Sequence, residues 1–326
     1  MESFDRRKIR FSPLSERESK SSIEKIAINP DANYFSKEKD NSKIIKIANE
    51  ILKAKENGKP VIIAFGAHLI KNGLCLVIRR MIEEGFVSHL ATNGAGSIHD
   101  WEFAYQGKSE EDVEKYVNQG KFGIWEETGK YINLALIEGA KENKGYGEAV
   151  GEMIHKDLFL NHAFKRYSVQ ESAFVNNIPF TIHPGFGYDI IYSHYLSDGA
   201  SIGKCAEIDF LRFVESVFNL EGGVFISIGS AIMSPMIFEK SLSMARNSAF
   251  QEGKEIRDFM IVINDIKEGW DFSKGEEPSK NHPAYYDRLC KSFKRMGSRE
   301  MLYVKADNKE FLTSLYGRLK ASEKFK

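Results

Sequence analysis

Short apolar runs alternate with longer amphipathic segments over most of the chain. Six runs of four to six residues lack polar alternation, which is typical of strands covered on both faces of a sheet. Segments of helix length separate most of them, which predicts right-handed crossovers and a parallel sheet. We therefore expect an α/β fold with a doubly wound, mostly parallel, Rossmann-like sheet. The predicted strands cover residues 61–65, 87–91, 178–182, 223–228, 259–263 and 301–304.

Helical periodicity predicts several helices, and its absence near the start of the chain predicts an N-terminal arm. Apolar residues recur at three- or four-residue spacing in helices predicted at 44–55, 69–84, 207–218 and 235–246. Residues 1–42 are rich in Lys, Glu, Ser and Asp with little periodicity, so we interpret them as an N-terminal arm that packs on the domain or on a neighbouring subunit. Residues 43–326 are predicted to form a single domain. The glycine-rich stretch at 145–151 is expected to be irregular.

Composition narrows the function classes. The 326 residues contain 46 basic and 46 acidic side chains, so no overall field recruits nucleic acid or an anionic membrane. No segment approaches the roughly 18 apolar residues of a membrane helix, and the start lacks a signal-peptide core. Cys75, Cys205 and Cys290 show no paired spacing and suggest reduced thiols. We expect a cytoplasmic protein with a small-molecule substrate and no nucleic-acid or membrane partner.

Chemistry is expected where the strands end, because parallel sheets bind ligands at their carboxyl edge. The second predicted strand is followed by a turn in which Gly94 and Gly96 allow a sharp bend and Ser97 can cap a helix. A helix amino terminus attracts anions, so phosphate or pyrophosphate is the natural occupant. Glycines also serve any tight turn, and the GxGxxG fingerprint of a standard phosphate turn is absent.

Histidines and carboxylates at these strand ends leave two interpretations open. His68, His99 and His183, with Asp100 and Asp189, offer ligands for a metal-dependent hydrolase or lyase. No HxH or HExxH spacing places two ligands on one element, so no metal ligand is assigned. Histidine can equally donate hydrogen bonds to a ligand, and Asp189 can receive ribose hydroxyls or an amine, or cap a helix.

Taken together, the strand-end motifs resemble deoxyhypusine synthase and its bacterial relatives over roughly residues 45–320. The similar segments, in order, are 66–73, 92–100, 177–189, 221–230 and 305–307. The resemblance implies a Rossmann-like domain, usually a homotetramer, that binds NAD at subunit interfaces. Family members transfer the aminobutyl group of spermidine to a lysine of a translation factor.

The resemblance also implies roles for individual residues. Asp189 matches an acidic residue that follows the family's glycine-rich loop. The cofactor-binding residues would be Gly66, Ala67, His68, Thr92, Asn93, Gly94, Ala95, Gly96, His99, Asp100, Gly229, Ser230 and Asp307.

The chain departs from the family where the chemistry occurs. Ser234-Pro235-Met236 stands in place of a Lys-His-His stretch, and Pro184 in place of an acidic residue. The Trp-Gly-Lys segment with the imine-forming lysine is not recognisable; the corresponding stretch ends at Lys291. Without that nucleophile imine chemistry has no starting point, so we predict a reaction other than deoxyhypusine synthesis.

The sequence thus predicts an NAD-binding enzyme acting on a small polar, amine-like substrate. His183 and Asp189 would be its acid/base or orienting groups, with Lys291 as a third catalytic candidate. A metal-dependent hydrolase or lyase and a non-catalytic nucleotide-binding module are the alternatives.

Overall fold

A six-stranded parallel sheet forms the centre of the protein, as predicted. The computed structural model describes residues 2–32, 41–268, 278–286 and 288–323. The strands lie in the order β3-β2-β1-β4-β5-β6, which is the order of dinucleotide-binding Rossmann domains. They are β1 (Val61–Phe65), β2 (His89–Asn93), β3 (Phe180–His183), β4 (Val224–Ile228), β5 (Met260–Asp265) and β6 (Glu300–Lys305).

Helices cover both faces of this sheet. Their bounds are α1 (Ile23–Ile26), α2 (Asn41–Glu56), α3 (His68–Lys71), α4 (Cys75–Glu83), α5 (Gly94–Gln106), α6 (Val113–Asn118), α7 (Glu126–Lys141), α8 (Tyr146–Lys156), α9 (Val169–Val175), α10 (Gly199–Phe218), α11 (Met233–Gln251), α12 (Arg288–Arg295) and α13 (Asn308–Glu323).

Two local predictions were wrong. The helix expected at 69–84 is divided into α3 and α4, because Gly73 adopts φ +78 and its backbone packs against Ile26. The stretch expected to be irregular at 145–151 lies largely in α8. That helix buries Val150, Met153 and Ile154, and its small glycines allow it to lie close to neighbouring backbone.

Each face of the sheet has its own apolar core. Val61, Ile63 and Phe65 of β1 point to one face and pack with residues of α2, α4, α5, α8 and α13. Ile62 and Ala64 point to the other face and pack with residues of α10, α11 and α12. Strands buried on both faces therefore explain the continuous apolar runs of the sequence.

The N-terminal residues pack on this domain. Leu14 and Ile23 are fully buried, and Ser21–Ser22 pairs antiparallel with Lys108–Ser109 just after α5. The guanidinium of Arg17 forms a buried ion pair with Glu102 of α5, with a shortest N–O distance of 2.7 Å. Among the described helices, none has the length and apolar character needed to span a membrane.

Candidate functional site

The strand order reverses between β1 and β4, and open α/β sheets bind ligands in the crevice at such a point. Gly66 and Gly229 meet there: a Cβ on Gly66 would lie 2.3 Å from the Gly229 carbonyl oxygen. Ala67 is half-buried and His68, the first residue of α3, is exposed. The Ser230 hydroxyl accepts a 3.2 Å hydrogen bond from the Ser234 N–H. The loops after β1 and β4 therefore lie side by side at the carboxyl edge of the sheet.

The turn from β2 into α5 forms a capped helix start. Asn93, not Ser97, is the cap, and its side-chain oxygen accepts a 2.9 Å hydrogen bond from the Gly96 N–H. The Thr92 hydroxyl is buried and donates to the Phe65 carbonyl at 2.8 Å, which ties the end of β2 to the end of β1. A Cβ on Gly96 would lie 2.3 Å from that hydroxyl, so this glycine allows the close approach.

The carboxylate of Asp189 lies against the start of α5. Its Oδ2 accepts a 2.8 Å hydrogen bond from the Gly185 N–H, and a Cβ on Gly94 would lie 2.3 Å from the same oxygen. Burial raises the pKa of Asp189 to about 6, although the Gly185 bond acts in the opposite direction. A carboxylate thus lies where the sequence suggested a phosphate.

A cavity of about 290 Å³ opens beside this carboxylate. It is lined by Lys71 at the end of α3, by Ala95 and His99 of α5, by Asp189 from the loop after β3, and by residues of the N-terminal arm. Three separate strand-end segments therefore meet, as the fold class predicts. The structure adds residues that the sequence did not assign to the site, namely Arg17, Lys20, Lys71, Glu102, Glu110 and Glu111.

Carboxylates outnumber cationic side chains in this cavity. Glu102, Glu110, Glu111 and Asp189 face Arg17, Lys20 and Lys71. Arg17 pairs with Glu102, and Lys71 pairs with Glu110 at 2.8 Å.

Two of the carboxylates have only neutral hydrogen-bond partners among the described residues. Glu111 accepts hydrogen bonds from the Trp125 indole N–H at 2.8 Å and the Gly123 N–H at 3.1 Å. Asp189 receives only the Gly185 N–H among the described residues. The local charge balance favours a cationic group as occupant.

The imidazole of His99 lines the same cavity. Its Nδ1 lies 2.7 Å from the hydroxyl oxygen of Ser109. Burial lowers the pKa of His99 to about 4, so the ring is neutral at physiological pH.

Four predicted site residues, Lys291 among them, lie elsewhere. His183 packs edge-on against Phe213 under α10, its Nε2 is 3.1 Å from the Thr181 hydroxyl, and burial lowers its pKa to about 3. Asp100 is buried and caps α9, where it accepts from Ser168, Val169 and Gln170. Asp307 accepts from the Lys309 N–H at the start of α13. It follows β6, five strand spacings or roughly 24 Å from β3.

Lys291 lies in a second cavity, of about 750 Å³, between α11 and α12. Its ammonium nitrogen is 4.0 Å from the centroid of the Tyr285 ring. The three candidate catalytic residues, His183, Asp189 and Lys291, therefore do not share one cavity. Within the described ranges, no three His, Cys, Asp or Glu side chains come together as a metal site.

Comparison with known proteins supports the fold. No family model matches the chain, and no curated protein is similar to it in sequence. Among solved structures, the ternary complex of AgrE with ornithine and NAD⁺ is similar at 17% identity and a TM-score of 0.53, over 89% of this chain and 34% of AgrE. The arginine dihydrolase ArgZ of Cyanobacteria gives 16% identity and a TM-score of 0.52, over 88% and 32%. The chain thus spans about a third of these two proteins.

One further structure extends this likeness. A LOR/SDH-type protein from Methanococcus maripaludis S2 gives 17% identity and a TM-score of 0.52, over 91% of this chain and 74% of that protein. A deoxyhypusine synthase-like protein from Entamoeba histolytica gives 12% identity and a TM-score of 0.45, too weak a likeness to assign the chain to that family. The structural similarity to AgrE, ArgZ and the LOR/SDH-type protein shows a related Rossmann-like α/β fold.

Proposed function

We propose that this protein is an NAD-binding enzyme that acts on a small polar substrate carrying a protonated amine. The observation that carries the proposal is the cavity beside α5, where four carboxylates face three cationic side chains at the carboxyl edge of the sheet. A positively charged substrate group would satisfy the carboxylates of Asp189 and Glu111, whose hydrogen-bond donors among the described residues are all neutral.

The fold supports a dinucleotide in the neighbouring crevice. Domains with this strand order bind dinucleotides where β1 and β4 diverge. AgrE, which has a similar fold, has been solved with ornithine and NAD⁺. The contact of Gly66 with Gly229 leaves no side chain at the base of the crevice, and Ala67, His68 and Ser230 would border the cofactor. When bound, NAD would supply hydride chemistry.

The turn after β2 fits an anion less well. The carboxylate of Asp189 already lies at the start of α5, so a pyrophosphate placed there would meet a like charge. We therefore assign the nucleotide to the loops after β1 and β4, and the substrate to the cavity next to the loop after β2.

Imine chemistry is not part of the proposal. Lys291 lies against Tyr285 in the other cavity, and Lys71, which does line the substrate cavity, is paired with Glu110 at 2.8 Å. This arrangement supports a reaction other than deoxyhypusine synthesis. The homotetramer and the cytoplasmic location stay predictions, and size-exclusion chromatography with light scattering tests the first.

A thermal-shift screen tests the proposed function. The probes are NAD⁺, NADP⁺, AMP, 1,4-diaminobutane and the ions Zn²⁺ and Mn²⁺. A ligand that binds only the folded state stabilises it by about 2.7 kcal/mol at a hundredfold excess over Kd, so NAD⁺ at saturating concentration should raise Tm clearly.

A matched pair of glycine variants locates the effect. Gly66→Ala places a methyl group against the Gly229 carbonyl and should abolish the NAD⁺ shift. Gly203→Ala on α10 meets no atom within 4 Å and should retain it. Folded protein that shows no shift with millimolar NAD⁺ would contradict the proposal, and a shift with Zn²⁺ or Mn²⁺ instead would favour the metal-dependent alternative.

A further inference from the structure

A chain of buried hydrogen bonds leads from the N-terminal arm to the cavity. Arg17 donates two hydrogen bonds to the carboxylate of Glu102, at 2.8 and 2.7 Å. The hydroxyl of Ser109 is 2.6 Å from Oε2 of Glu102 and 2.7 Å from Nδ1 of His99. The Thr128 hydroxyl donates at 2.8 Å to Oε1 of Glu102, which also accepts from Arg17. Arg17 and Glu102 thus hold the Ser109 hydroxyl that contacts the imidazole.

The positions of the protons in this chain follow from the charge of Glu102. Burial alone would raise its pKa, but the charge and hydrogen bonds of Arg17 lower it below the ordinary value. Glu102 is therefore ionised and can only accept hydrogen bonds. The single proton of the Ser109 hydroxyl must point to Glu102, so its oxygen can only accept from His99.

The tautomer of His99 is determined by this arrangement. Nδ1 must carry the ring proton, because Ser109 has no second proton to donate. Since the ring is neutral, Nε2 keeps an unprotonated lone pair. Among the described residues Nε2 has no hydrogen-bond partner, and the ring lines the cavity.

We propose that Nε2 of His99 is the fixed hydrogen-bond acceptor for the ammonium group of the substrate, and that Ser109, Glu102 and Arg17 are its positioning residues. Asp189 supplies the opposite charge in the same cavity. The substrate class rests on the proposed function, whereas the tautomer rests on the hydrogen bonds and on the ion pair between Arg17 and Glu102.

Nitrogen-15 NMR of the histidine rings tests the proposal directly. The full-length protein has 8 histidines, and the spectrum of His99→Phe identifies the signals of His99 by their absence. We expect a protonated Nδ1 and an unprotonated Nε2, and we expect 1,4-diaminobutane to move the Nε2 signal towards that of a protonated nitrogen. A His99 ring protonated at Nε2, or an Nε2 signal that saturating diamine does not move, would overturn the proposal.

Three serine variants separate positioning from simple structural support. Ser109→Ala should add a population protonated at Nε2, whereas Ser109→Thr keeps the hydroxyl and should restore the original tautomer. Ser21 lies opposite Ser109 on the paired strand, and its hydroxyl donates to Glu110. Ser21→Ala should leave the tautomer of His99 unchanged. Equal effects of Ser21→Ala and Ser109→Ala would refute a specific relay. If Ser109→Ala does not fold, the tautomer of the unaltered protein and the Ser109→Thr spectrum decide the question.

Calorimetric titration with 1,4-diaminobutane completes the test. His99→Phe should weaken diamine binding about tenfold or more, the loss expected when a hydrogen bond to a charged group is removed. Unchanged affinity would refute the acceptor role. A diamine response without an NAD⁺ shift would contradict the proposed cofactor and leave His99 supported. An NAD⁺ shift together with a His99 ring protonated at Nε2 would support the proposed cofactor and contradict the role of His99.

Discussion

Asp209 of α10 provides a test of how burial determines stability in this fold. The residue has no solvent exposure, and its Oδ2 accepts hydrogen bonds from the backbone N–H groups of Gly147 at 3.0 Å and Ile182 at 2.8 Å. It thereby joins the start of α8 to β3. Its Oδ1 is buried and has no hydrogen-bond partner among the described residues. A charged carboxylate is therefore only partly satisfied at this position.

The effect of Asp209 on the free energy of unfolding follows from proton linkage. Burial raises the pKa of Asp209 from 3.8 to about 7, although the two backbone bonds and the charge of Arg212 act against the shift. Between these values the folded protein keeps a proton that the unfolded chain has lost, so stability falls as pH rises from about 4 to 7. At about 1.4 kcal/mol per pH unit, the free energy of unfolding should fall by about 3 kcal/mol between pH 4.5 and 8.

Asp209→Asn removes this dependence. The amide oxygen can accept both backbone bonds, while the amide N–H₂ is left without an acceptor at a cost of about 1–3 kcal/mol that does not vary with pH. Urea unfolding at pH 4.5 and pH 8 measures both proteins. The difference in unfolding free energy between variant and parent should move by about 3 kcal/mol in favour of the variant at pH 8.

A second aspartate on the same helix is the matched control. Asp198 is exposed and caps α10 by accepting from Ser201, whose hydrogen bonds lower the pKa of Asp198. Its contribution to stability is therefore lost as pH falls, which is the opposite sign. Asp198→Asn should show a small change of that sign. An identical difference at both pH values for Asp209→Asn would refute the argument from burial.

Three further predictions concern the cavity and its surroundings. Arg17→Ala leaves Glu102 buried without its counter-charge and should lower the unfolding free energy by about 3–5 kcal/mol; a urea-unfolding loss below about 1 kcal/mol would contradict this. Lys291→Ala should leave the thermal shifts with NAD⁺ and diamine unchanged, because this lysine lies in the other cavity. A reduced shift would instead place the lysine in the site. Binding of diamine should weaken as pH falls from 7 to 5 while Asp189, with a pKa of about 6, gains a proton; calorimetry should find no such weakening for Asp189→Asn.

Much of the sheet could be predicted because its strands are buried on both faces. The predicted strand at 61–65 coincides with β1, whose five residues are all buried. The second was placed two residues early, since Val87 is apolar yet precedes β2, and the Ser88 hydroxyl binds the Val61 N–H at 2.9 Å. Periodicity detects burial but not which buried residue begins the ladder of backbone hydrogen bonds.

The site was predicted less well, because its contacts join distant parts of the chain. Asp189 and His99 follow strand ends and could be expected at the carboxyl edge. Arg17 and Glu102 are separated by 85 positions, and no local pattern links them. Lys71 lies within a motif that the sequence did single out, but its place in the cavity depends on the end of α3 at Lys71, just before the turn at Gly73.

The N-terminal arm therefore does more than cover the domain. The charge of Arg17 keeps Glu102 ionised, an ionised Glu102 orients the Ser109 hydroxyl, and that hydroxyl determines which nitrogen of His99 carries the proton. Without Arg17, burial would favour a protonated Glu102, and Ser109 could then donate to Nδ1 instead. Nε2 would become a donor, and the cavity would lose its neutral acceptor for an ammonium group. The same ion pair that fastens the arm to the domain thus determines the hydrogen-bonding character of the proposed substrate site.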